Sequence, residues 1–187
     1  MSIKRTRRAG SVLASFVLSA FLLLAASAPA AAVRTIKAEP SRYWAVTYLG
    51  NWHVRAHPGY GKAVFALGDP SRVSGDGVPC TAYWNSLGLR ILFTSFGGAT
   101  SCGDASAQRA VVKGPAGRNA WRTERGLRVG DRFARLRRLY PNARRRPGAR
   151  VIVYQQDPFI GDGSIITALI RHKRVASLQL WLGGAGD

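Results

Sequence analysis

The chain has 187 residues, with 28 Lys plus Arg against 9 Asp plus Glu, a formal charge of +19, and two cysteines. With a leader removed it is long enough for one domain with a sizeable core and too short for two of comparable size. Its charge makes polyanions the natural partners.

Residues 1–30 read as an export signal. Lys4, Arg5, Arg7 and Arg8 precede an apolar run from Ser11 to Ala25, and small residues follow, so cleavage is expected between Ala28 and Ala32. The run falls short of the roughly 18 residues of a membrane-spanning helix, and no cysteine precedes Cys80 to carry a lipid. Arg7-Arg8 also fits a twin-arginine signal loosely, so the export route stays open between the two systems. Removing the signal's four basic residues leaves +15 on a secreted mature chain. Of the 28 basic residues 23 are arginine, whose planar fork binds phosphate and carboxylate bidentately.

Residues 31–42, rich in Ala and carrying Pro40, are expected to be a linker before a single domain of two similar halves, about 43–115 and 116–187. In the first half Tyr60, Val64 and Leu67 mark the buried stripe of a helix from Gly59 to Leu67, stopped by Gly68 and Pro70. Strand character follows at Cys80–Trp84, 88–96 and 107–113, with Leu89, Ile91 and Phe93 on one face. In the second half Val129, Phe133, Leu136 and Tyr140 form the stripe of a helix over 132–140, with Asp131 as the expected N-cap and Pro141 as the stop. Strands are then expected at 150–155, 164–171 and 174–182, the last two joined by a tight hairpin through Arg171-His172-Lys173-Arg174. Helices confined to one side of antiparallel sheet predict an α+β fold: two tandem repeats of a helix plus an antiparallel three-strand meander, in a two-layer sandwich.

The run Gly126-Leu-Arg-Val-Gly130-Asp131, a short helix, Tyr140-Pro141 and a meander ending in Val175–Leu182 resembles the repeat of the β-lactamase inhibitor protein family and of the related small outer-membrane assembly lipoprotein. The resemblance covers about Tyr48 to Leu182 and implies a secreted or periplasmic scaffold without catalytic machinery, contacting another protein through its sheet and loops. Those families have two helices per repeat where this chain shows one, and no inhibitory residue matches.

In an exported chain Cys80 and Cys102 have one possible internal pairing, a disulfide, stabilising the fold by about 3 kcal/mol through loop closure. His53 and His57 lie four apart, a spacing that could hold zinc, yet Pro58 disfavours a helix there and no acid is near; Trp52, Val54 and Ala56 alternate as a strand instead. A ribonuclease-like site could use Glu124, one of His53, His57 or His172, and an arginine, but a solvated Glu124 paired with Arg122 or Arg125 is the simpler reading. Asp157 and Asp162 suggest a calcium loop only faintly and read as a turn. Of the tryptophans, Trp84 and Trp181 are expected to anchor the core or a sheet face; Trp44, Trp52 and Trp121 lie in less regular stretches where partial exposure is open, though burial is the commoner state. No metal and no cofactor are expected.

The strongest local signal is basic. Arg135, Arg137, Arg138, Arg144, Arg145, Arg146 and Arg150 fall within 16 residues that contain no acid. Two of them could complement the helix dipole, and the rest invite an anion. The expected function is therefore a secreted, non-enzymatic binding module. Its partner would be an envelope protein or an anionic polymer such as teichoic acid, anionic lipid or nucleic acid. The alternative is a small secreted phosphodiester hydrolase.

Overall fold

The computed structural model describes residues 34–38, 46, 48–95, 98, 100–114, 121–155 and 164–183, without the side chains of 154, 155 and 164. The expected signal, most of the expected linker, Trp44, Asp157 and Asp162 lie outside them. The described residues all belong to a unit spanning Ala31–Asp187.

Three short strands open the unit: β1 (Thr35–Lys37), β2 (Tyr48–Leu49) and β3 (Trp52–His53). After α1 (Tyr60–Leu67) come β4 (Arg72–Ser74), β5 (Cys80–Trp84), β6 (Leu89–Thr94) and β7 (Ser106–Val112); β8 (Arg122–Thr123) and α2 (Phe133–Leu139) follow. The chain closes with β9 (Arg144–Arg146), β10 (Arg150–Gln155), β11 (Ser164–Arg171) and β12 (Arg174–Trp181).

The short strands make a four-stranded sheet in the order β3-β2-β1-β8, and the others an eight-stranded sheet in the order β4-β5-β6-β7-β12-β11-β10-β9. In the large sheet each half contributes four consecutive strands, and the halves meet where β7 runs antiparallel to β12, Leu178 opposite Val112.

Period-two alternation builds the core face. Cys80, Ala82 and Trp84 on β5, Leu89, Ile91 and Phe93 on β6, and Leu178 and Leu180 on β12 are buried, while the residues between them are mostly turned the other way. Ala63 and Leu67 of α1, Leu136 of α2, and Ile36, Leu49 and Trp52 of the small sheet join the same cluster. At the β11–β12 turn His172 and Lys173 both adopt positive φ, 48° and 59°, the pair of left-handed conformations that matches the twist of a two-residue hairpin. Gly75, at φ 103°, admits no side chain: a Cβ there would lie 2.9 Å from the Pro79 carbonyl oxygen.

This architecture overturns the expected α+β sandwich of two helix plus three-strand repeats. Among the described residues the protein is mostly β, with twelve strands against two helices of eight and seven residues, too short to form a layer of their own. Each half carries a fourth strand, β4 or β9, whose residues are all exposed and so show no alternation in the sequence. Strands of two or three residues in the small sheet are likewise too short to generate a pattern. Part of the expected linker is structural: Ile36 is fully buried, and β1 pairs antiparallel with β2 and parallel with β8.

Candidate anion-binding surface

Arg135, Arg137 and Arg138 project from α2 because Leu136 is its buried anchor and half-buried Phe133 and Leu139 share that side, leaving the intervening positions to solvent. Asp131 is not the N-cap. Arg132 occupies that position, and the Asp131 carboxylate accepts the Arg128 backbone N–H at 2.9 Å and pairs with Arg135 at 3.3 Å. Both partners of that pair are solvent-accessible, so it adds about 0.5 kcal/mol at most. Arg137 donates to the Ala143 carbonyl at 2.8 Å, tying the end of α2 to the turn that follows.

From that turn the chain enters β9 along the edge of the large sheet. Arg144 lies opposite Ile152, Arg145 opposite Val151 and Arg146 opposite Arg150. Residues directly opposite share a face, so Arg145 lies on the core side with Val151, its guanidinium 4.9 Å from the Phe133 ring centroid. Arg144, Arg146 and Arg150 point to the other side. The seven arginines thus gather at one edge but divide between two faces.

Charge on an edge strand also discourages sheet-to-sheet pairing, which accounts for some arginine in β9. The opposite edge, β4, is equally exposed with a single charge, Arg72. Placing Arg146 directly opposite Arg150 sets like charges together, at a cost edge protection does not require.

A groove of about 400 Å³ opens between the start of α2, the β9–β10 turn and the β11–β12 hairpin. Phe133, Val151 and Ile170 give it an apolar floor, Arg145 and Lys173 add charge, the outward-facing Arg146 and Arg150 border it at the sheet edge, and among the described residues no carboxylate lines it. Its walls are fastened by the Phe133 N–H donating to the Lys173 carbonyl and the Ile170 N–H to that of Ala149, both at 2.8 Å.

The titratable residues singled out for catalysis or metal binding are dispersed. His53 stacks on Tyr48 with centroids 4.3 Å apart, and His57 is exposed in the turn after β3. That turn replaces the expected strand through Ala56: the His57 N–H bonds back to the His53 carbonyl, and the Trp52 indole N–H donates to the His57 carbonyl at 2.8 Å. His172 sits at the β11–β12 hairpin. Arg125 donates to the Leu139 carbonyl and lies 5.2 Å from the Tyr140 ring. Tyr140 is buried, its hydroxyl donating to Thr123 at 2.6 Å, and burial pushes its pKa up. Among the described residues no three His, Cys, Asp or Glu side chains converge.

Cys80 and Cys102 form the expected disulfide. The described tryptophans divide between the core and a sheet face. Trp52 and Trp121 are buried, the Trp121 indole N–H donating to the Leu87 carbonyl at 2.8 Å, whereas Trp181 is half-exposed on the sheet face opposite Leu180.

Sequence reasoning missed Arg90 and Arg109. Each is an exposed position within a buried alternation, the one available signal, and they sit on adjacent strands.

No protein-family model, curated protein or solved structure matches this chain. Among the described residues no helix is long and apolar enough to cross a membrane.

Proposed function

We propose that this chain is an exported, non-enzymatic binding module that holds an anionic envelope polymer at the edge formed by α2, β9 and β10. One observation carries the reading: seven arginines from three elements gather at that edge, with no acid in the sequence between Asp131 and Arg150. A polymer carrying regularly spaced phosphates would release its counterions there and be held in a strongly salt-dependent way. Buried Tyr140 offers no stacking platform, which favours a teichoic acid-like chain over a nucleic acid. The hydrolase reading needs a base and an acid around one phosphate; His53 and His57 share β3 and the turn after it, while His172 sits at the β11–β12 hairpin and Glu124 neighbours Tyr140.

The test compares the processed protein with an R144A/R145A/R146A variant on poly(glycerol phosphate), phosphatidylglycerol vesicles and heparin. Affinity for the phosphate polymer should fall steeply between about 50 and 200 mM salt, and the variant should lose about two to three from the log–log slope. Absence of binding to all three at low salt, or an unchanged slope, would overturn the proposal. So would RNA turnover abolished by a single histidine substitution.

A further inference from the structure

The side of the large sheet turned away from the core carries a second cationic site, independent of the α2–β9–β10 edge. In register, Tyr83 lies opposite Arg90, Arg90 opposite Val111, Leu92 opposite Arg109, and Arg109 opposite Trp181. These residues alternate with buried Ala82, Ile91, Ala110 and Leu180, so all share the outward face. Arg90 and Arg109 are therefore diagonal neighbours on adjacent strands, a relationship that spaces Cα atoms about 7–8 Å apart, within reach of two long side chains converging on one atom group.

Between them is a hollow of about 350 Å³ with Leu92 and Val111 as apolar walls. Thr81, Tyr83 and Gln179 bring two hydroxyls and an amide to its rim, and among the described residues no carboxylate lines it. Two guanidinium groups thus face a concave surface that supplies hydrogen-bond donors and no countercharge. Both are solvent-exposed. Arg109 is steadied by the Trp181 ring, 5.0 Å from its centroid, and Arg72 lies 4.2 Å from the Tyr83 ring at the hollow's margin. A cation already seated on a ring loses less freedom on binding than one free in solvent.

We propose that this hollow binds a phosphomonoester carried on a small apolar or aromatic body. The Arg90 and Arg109 forks take the phosphate oxygens, and Leu92, Val111 and Tyr83 take the body. Phosphate is favoured over carboxylate because two bidentate forks present four N–H groups, which three terminal phosphate oxygens accommodate better than two carboxylate oxygens. The site stands apart from the polymer edge: Arg109 on β7 and Arg150 on β10, the nearest arginines of the two, are on strands three spacings apart, about 14 Å.

Phenyl phosphate titrated into the processed protein, followed by calorimetry, tests the assignment. Binding should be saturable, at least tenfold weaker in Arg90→Ala and in Arg109→Ala, partly restored in Arg90→Lys, and unchanged in R144A/R145A/R146A. Benzoate and inorganic phosphate should each bind more weakly, lacking the dianionic head or the body. Because Arg90 and Arg109 are exposed, both variants should melt with the parent. Absence of saturable binding, affinity indifferent to both arginines, or benzoate binding as tightly as phenyl phosphate would overturn the proposal. Loss in the triple variant would also overturn it, by moving the site to the β9 edge.

Discussion

Replacing both cysteines, Cys80→Ala with Cys102→Ala, removes the one disulfide cross-link between two parts of the first half. Cys80 begins β5 and is 1% exposed; Cys102 opens the turn before β7, with Cα atoms 5.8 Å apart across a sequence separation of 22. The segment after that turn also receives α1: the Tyr60 N–H donates to the Ala105 carbonyl and the Ala107 N–H to that of Pro58, at 3.1 and 2.9 Å. Opening the bridge therefore frees the β6–β7 connection and slackens the seat of α1. Loop closure of this length is worth about 3 kcal/mol. For a unit the size of Ala31–Asp187 that corresponds to a melting point lower by about 6–12 °C. Urea unfolding of parent and variant, fitted with a shared m-value, measures the loss directly, and the reduced parent should behave like the variant. A loss below about 1 kcal/mol would refute the claim that this tie organises the first half.

Leu136 is fully buried and the sole buried side chain of α2, so Leu136→Ala should cost about 3 kcal/mol and loosen the helix that displays Arg135, Arg137 and Arg138. An unfolding free energy from urea titration within about 1 kcal/mol of the parent's would contradict its anchoring role. Tyr140 supplies a pH test. Burial raises its folded-state pKa above the ordinary value, so the unfolded chain ionises first; the associated stability is whole below about pH 10 and disappears as pH climbs through the raised folded value. Tyr140→Phe should flatten the alkaline limb of stability measured from pH 8 to 11 and cost about 1 kcal/mol at neutrality through the lost bond to Thr123. An identical alkaline limb in both proteins would contradict that assignment.

Patterns confined to neighbours in the chain are legible in the sequence by itself. The alternation of Cys80–Trp84 and Leu89–Phe93, the helical stripe around Leu136 and the turn at His172-Lys173 all follow from bond geometry over a few residues, and two cysteines have one internal pairing to make. Tertiary structure alone decided what depends on distant strands meeting. β4 and β9, exposed throughout, become strands because a neighbour's backbone completes their hydrogen bonds. The tiny strands around Ile36 exist because β8, more than eighty residues later, lies beside β1. Which arginines share a face follows the same rule. Arg144, Arg145 and Arg146 are contiguous in sequence and split by the pleat, whereas Arg90 and Arg109 are far apart in sequence and drawn together by register. A side chain's direction on a sheet is set by which residue it is paired with, and pairing is a long-range property that local periodicity does not encode.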